Sequence, residues 1–145
     1  MATLIRDSAP KPESPDTAYE IIFDGGAIGN PGKGYGSFVI RNTDGMVKRQ
    51  RVEFGDWVTN NQAEYRTLIE ALLWLQTFAG ECARSVAITI YGDSVLVINQ
   101  IEGNWKVRNS KLMPLFSEAT ALLAQFGEVR LKWQPRAASV RVLGH

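Results

Sequence analysis

The sequence predicts an α/β domain built on a five-stranded mixed sheet with helices on both faces. Strand-like and helix-like segments follow the order β-β-β-α-β-α-α-β, a three-strand meander and then alternating units. That order places helices on the faces of one mixed sheet. An Asp44-Gly45 pair stands between two strand-like runs, which is a strong hairpin signal. Residues 86–91, Val-Ala-Ile-Thr-Ile-Tyr, are nearly all apolar, the pattern of a central strand covered on both faces.

Taken in order, residues 1–17 hold Pro10, Pro12 and Pro15 among polar and charged residues and are read as a flexible tail. Residues 18–145 are read as one domain. Residues 19–24 form the first strand, which opens into a glycine-rich turn. Residues 35–42 form the second, residues 43–45 the hairpin turn and residues 46–54 the third. A loop at 55–60 leads to a helix capped by Asn60 or Asn61. Tyr65, Leu68, Leu72, Leu75 and Ala79 give that helix its apolar stripe, and Gly80 stops it. Residues 86–91 are the fourth strand and 94–101 a short helix ended by Gly103. Asn109 or Ser110 caps a further helix, with Pro114 near its start and Leu115, Ala119, Leu122, Leu123 and Phe126 on its buried side. Residues 129–133 form the last strand, and no period is legible after them. The first strand is expected at the centre of the sheet with the fourth parallel beside it.

A chain of 145 residues can bury one sizeable core. Its net charge of +1 excludes a polycation. The charge is uneven, however. Residues 101–145 carry seven Lys/Arg against three Glu, so a basic face could meet phosphates while an acidic centre holds a metal. Cys82 is the sole cysteine, which rules out an intrachain disulfide and suits a reducing compartment; it is read as a small packing residue. No apolar run approaches the roughly 20 residues of a membrane span, and the start lacks a signal-peptide pattern. A cytoplasmic protein is expected, with no membrane partner.

Three acidic residues stand in distinctive settings. Asp24 ends the apolar run Ile21-Ile22-Phe23. Glu64 lies at the start of the long helix, and Asp93 follows the fourth strand. In the expected topology the two aspartates sit side by side at the carboxyl ends of adjacent strands, where open α/β sheets place their sites. Carboxylates gathered so closely repel one another, and a divalent cation is their natural partner. Metal-dependent phosphodiester chemistry is the reading that follows.

The motifs Asp24-Gly25-Gly26-Ala27, Gly29-Asn30-Pro31-Gly32, Thr59-Asn60-Asn61-Gln62-Ala63-Glu64, Gly92-Asp93-Ser94, Trp105 and Trp133 with Pro135-Arg136 are together similar to the type 1 ribonucleases H. The resemblance runs from about residue 19 to residue 136. It implies endonucleolytic cleavage of the RNA strand of an RNA–DNA hybrid to give 5′-phosphate ends. It also implies a two-metal mechanism using Mg²⁺, with Mn²⁺ as a substitute, held by Asp24, Glu64 and Asp93. Two such ions activate a water and stabilise the leaving 3′ oxygen. By the same resemblance Gly25 and Gly26 border the substrate. Asn30, Asn60 and Asn61 read 2′-hydroxyls, the group that separates RNA from DNA. Thr59 binds a DNA phosphate, Trp105 stacks on a deoxyribose, and Lys106, Arg108 and Lys111 contact phosphates. Trp57, Trp74 and Trp133 are read as packing residues. The expected partner is the hybrid duplex, with no obligate protein partner and a monomeric chain.

The chain departs from the family's pattern in three places. Val95 stands where a glutamine is usual. A longer basic protrusion after Trp105 is lacking. The fourth acid, which in the usual register falls near Leu143, is absent, because no Asp or Glu follows Glu128, and the family's final helix is expected to be missing. His145, as an imidazole or through a terminal carboxylate, is one candidate to replace that acid; a truncated chain and a dispensable position are the others. Arg136 occupies a loop position where the family has His or Arg, and would bind phosphate without acting as a base. The alternative function is therefore a non-catalytic or weakly active hybrid-binding module.

Overall fold

The computed structural model describes residues 18–144. Alternation of side chains sorts the first strand. β1 (Ala18–Ile28) sends Ile21 and Phe23 into one core and Ile22 toward the opposite face. β2 (Gly32–Asn42) pairs with β1 antiparallel, and β3 (Gly45–Val58) pairs with β2 in the same sense. The hairpin between β2 and β3 closes over Thr43 and Asp44. There the Asp44 N–H donates to Asn42 Oδ1 at 2.9 Å, and Gly45 takes φ 126°. The Asp-Gly pair thus lies at a β2–β3 hairpin, as its signal predicts.

The long helix α1 (Asn60–Ala79) buries Tyr65, Leu68, Leu72 and Leu75 against Ile21, Phe23, Phe38 and Ile40. Its N-cap is Thr59, not Asn60 or Asn61. Thr59 accepts from the Gln62 N–H, and Gln62 in turn accepts from the Thr59 N–H, a capping box written in the sequence as Thr-x-x-Gln. A short 3₁₀ segment (Gly80–Ser85) leads to β4 (Ala87–Gly92), which runs parallel to β1 as expected. Then come α2 (Val95–Ile101), α3 (Met113–Leu123) and β5 (Glu128–Trp133). The sheet order is β3-β2-β1-β4-β5.

Several local expectations change. β1 runs on through the glycine-rich stretch to Ile28, because Gly25–Ile28 pairs with residues 33–36 of β2. Asn109 makes a turn instead of capping α3, its side chain accepting from the Lys111 N–H at 2.7 Å, and α3 starts only at Met113. Cys82 is exposed and does not pack. Trp57 and Trp133 are also exposed; Trp74 does pack, stacked on Phe78.

Two turns of helix, α4 (Arg136–Leu143), follow β5 where periodicity predicts none. Leu143 and Val142 of α4 meet Ile22, Val39 and Tyr91, so α4 covers the face of the sheet opposite α1 and α3. Arg49 on β3 donates to the carbonyl oxygens of Leu143 and Val142, at 2.7 and 2.9 Å, and satisfies the open end of this short helix. Among the described residues no helix is long and apolar enough to cross a membrane.

Candidate metal centre and nucleic-acid face

A pair of glycines lets the long helix reach the sheet. Gly25 of β1 and Gly36 of β2 are directly opposite one another. A Cβ on Gly25 would come 2.6 Å from the Ala63 carbonyl oxygen, and one on Gly36 would come 1.7 Å from Thr67 Oγ1. Ala63 and Thr67 are one turn apart on α1, so the helix rests on a bare patch of backbone. This close approach brings Glu64 down to the sheet, where the Gly25 N–H donates to Glu64 Oε1 at 2.9 Å.

The parallel register supplies the other two acids. Ile22 of β1 stands opposite Tyr91 of β4, the last pair of that ladder, and Asp24 and Asp93 each follow two residues beyond it. One carboxylate oxygen from each of Asp24, Glu64 and Asp93 lies within 4.8 Å of the others. Asp24 is fully buried, Glu64 nearly so, and the Asp93 side chain is 13% exposed. Burial, reinforced by the negative charge of Asp93 and opposed by Arg136, pushes the Asp24 carboxyl up from its ordinary 3.8 to about 6. Burial first, then the charges of Asp24 and Asp93, pushes Glu64 well above the usual carboxylate range. Asp93 Oδ1 is buried and has no hydrogen-bond partner among the described residues. An all-oxygen donor set with an open buried carboxylate oxygen fits a hard divalent cation such as Mg²⁺ or Mn²⁺.

The other expected site residues gather on the same end of the sheet to different degrees. Asn60 Oδ1 accepts from the Ala27 N–H at 2.8 Å, and Asn30 Oδ1 accepts from the Asn60 N–H at 3.0 Å. The two asparagines thus lace the β1–β2 turn to the start of α1, one helical turn before Glu64. Asn30, Asn60 and Asn61 are exposed, and Gly25 and Gly26 are buried beneath them. Thr59 is partly covered as the helix cap. Trp105 is 48% exposed and Lys106 is exposed, in the segment between α2 and α3. Val95 is exposed at the first turn of α2. Arg136 reaches the acids directly: its Nη1 lies 3.3 Å from Asp24 Oδ1 and 3.7 Å from Asp93 Oδ2.

Leu143, where the fourth acid was sought, is buried against Ile22 and Val39 and offers no ligand. His145 lies outside the described residues.

Two neighbours of the acids take places that the sequence does not assign them: Trp133, expected to pack, and Tyr35. Trp133 donates its indole N–H to the Asp93 carbonyl at 3.2 Å, which ties the end of β5 to the loop bearing that acid. Tyr35 stands opposite Gly26 on β2, with its hydroxyl against the backbone of that glycine, and it contributes to the electrostatic surroundings of Arg136. Trp133 had a signal available, since it is the last residue of a strand parallel to the one ending before Asp93. Tyr35 had none.

A family model described as "Reverse transcriptase-like" matches residues 22–142. The chain belongs to the ribonuclease H-like family. Among curated proteins it is 38% identical over 115 residues to a bifunctional protein of Mycobacterium tuberculosis; the alignment takes in 79% of this chain and only 30% of that protein's length. The solved N-terminal RNase H domain of that bacterium's protein, fused to maltose-binding protein, is 33% identical with a TM-score of 0.77, covering 86% of this chain and 87% of that one. RNase H1 of Halobacterium salinarum is 34% identical, with a TM-score of 0.77 over 86% of this chain and 90% of the other. LC11-RNase H1, solved in complex with an RNA/DNA hybrid, is 30% identical, with a TM-score of 0.78 over 85% and 89% of the two chains. This ribonuclease H-like chain shares their fold, and among the described residues its acid cluster consists of Asp24, Glu64 and Asp93.

Proposed function

We propose that this chain binds RNA–DNA hybrids and cleaves their RNA strand weakly, in a reaction that depends on Mg²⁺ or Mn²⁺. The observation that carries the reading is the joining of two features on one end of α1. Asn60, laced to Asn30 and Ala27, presents a polar amide, and Glu64 on the same helical face completes the acid cluster. A group that recognises a ribose hydroxyl therefore stands one helical turn from the group that would hold the cation. Similarity to an RNase H1 solved with a hybrid supports the choice of substrate.

Asp24, Glu64 and Asp93 would hold the cation, which when bound would supply an activated water and neutralise charge at the scissile phosphate. The chain's own residues do the rest. The Gly25 N–H aims Glu64, and Trp133 steadies the backbone of Asp93. Asn30, Asn60 and Asn61 orient the RNA strand, Thr59 and Lys106 take phosphates of the DNA strand, and Trp105 offers a stacking surface. Weak turnover follows from the apolar residue at the fourth position: with Leu143 turned into the core, three carboxylates have to hold what four would share. In this reading residues 18–145 are one catalytic and binding domain acting in the cytoplasm as a monomer.

The test is a labelled hybrid incubated with Mg²⁺ or Mn²⁺, alongside a binding titration in Ca²⁺. Slow cleavage by the wild type, abolished in Asp24→Asn with binding retained, is the expected result. Binding with no cleavage in either metal would select the non-catalytic module. Failure to bind hybrid at all would sink both.

A further inference from the structure

Arg136 sits at an electrostatically unfavourable place. It opens α4, where the positive end of the helix dipole disfavours a cation, and the first turn of α4 carries no acid to offset it. Its compensation comes from outside the helix, from Asp24 at 3.3 Å and Asp93 at 3.7 Å. These are two of the three carboxylates that would hold a divalent ion, and the guanidinium carries its charge at every physiological pH. The arm is anchored at one end only: its side chain is 55% exposed, whereas the Asp24 side chain is fully buried. Pro135, with φ −63°, precedes it, so the side chain can swing while the backbone stays in place.

We propose that Arg136 is a resident counter-cation of the acid cluster and that it yields its place when a divalent ion binds. Loading the cluster then removes the attraction that holds the guanidinium inward, and frees it for a phosphate oxygen of the nucleic acid. The first half concerns the cluster alone; the second rests on the hybrid-binding reading above. In this scheme the cation and the substrate are coupled through one side chain. Arg136 sets the affinity for metal in the empty state and adds to the affinity for nucleic acid in the loaded state.

The test begins with calorimetric titration of Mn²⁺ into the full chain at pH 8, for wild type, Arg136→Gln and Arg136→Lys. Arg136→Gln is expected to bind Mn²⁺ about tenfold more tightly, because one nearby positive charge is gone. Arg136→Lys, which keeps the charge, is expected to stay near wild type. Equal or weaker binding by a folded Arg136→Gln would overturn the competition. If that variant fails to fold by circular dichroism, the Arg136 Nε–H signal of the wild type decides by NMR: it moves on saturation with Mn²⁺'s diamagnetic counterpart Mg²⁺ if the arm is released, and stays put if the proposal is wrong. Hybrid affinity measured in Ca²⁺ and in EDTA separates the second half. Arg136→Gln is expected to lose about fivefold in Ca²⁺ and nothing in EDTA; an equal loss in both would overturn the release of the arm onto phosphate. A chain that shows the metal competition but binds no hybrid under any condition refutes the ribonuclease reading and leaves the counter-cation role intact.

Discussion

Asp24 works against the fold that contains it. Its carboxyl is raised from an ordinary 3.8 to about 6, so the folded chain holds the proton more tightly than the unfolded chain. The stability it contributes is complete below about pH 4 and is lost as pH rises through 6, because burial and Asp93 outweigh its ion pair with Arg136. Glu64 is shifted in the same direction and adds to the loss as pH rises. In EDTA, thermal denaturation should therefore show wild type losing stability between pH 4 and pH 8, while Asp24→Asn loses less and ends on the order of 1–3 kcal/mol more stable at pH 8. A variant no more stable than wild type at pH 8 would show that Arg136 already offsets the repulsion. Gly25 makes a second residue-scale prediction. Alanine there would place a methyl 2.6 Å from the Ala63 carbonyl, and urea denaturation should record a loss of about 2 kcal/mol or more. The loss should come with weaker metal binding, since α1 must lift and carry Glu64 with it. The three acids themselves were legible in the sequence because each follows or precedes an element whose end could be read. Their spacing to 4.8 Å was not, because it depends on two glycines from different strands facing each other.

The elements differ in how much of their stability is local. α1 declares itself through its apolar stripe and its Thr59–Gln62 capping box, so its existence was readable although its cap was assigned one or two residues late. Thr59→Ala removes the side-chain half of that box and should cost about 1 kcal/mol in chemical denaturation. α4 is the opposite case. At eight residues it is too short to be stable alone. It forms because Leu143 has an apolar seat on Ile22 and Val39, and because Arg49 reaches across from β3 to its last carbonyls. Arg49→Ala should leave the rest of the fold intact and speed amide hydrogen exchange in residues 136–144 by about tenfold; unchanged protection there would mean that Leu143 alone holds the helix. β1 shows the same dependence in a strand. Its glycines read as a turn, yet they continue the strand because β2 supplies partners for them as far as Lys33.

For the whole molecule, the net charge of +1 conceals a division of labour between an acid centre and a basic segment after residue 100. If Lys106 takes a phosphate of the hybrid, Lys106→Ala should weaken binding and reduce the slope of log affinity against log salt by about 1. An unchanged slope would remove Lys106 from the interface. By itself the sequence determined the fold class, the order of elements as far as the fifth strand, the central place of the first strand and the identity of the three acids. It could do so because hydrophobic period, turn chemistry and caps are properties of neighbouring residues. Tertiary structure alone decided how near the acids come, that Arg136 lies among them, that Tyr35 and Trp133 border them, and that Leu143 is packed into the core. Each of those facts depends on residues far apart in the chain meeting across the sheet, and on the strand register that decides which of them meet.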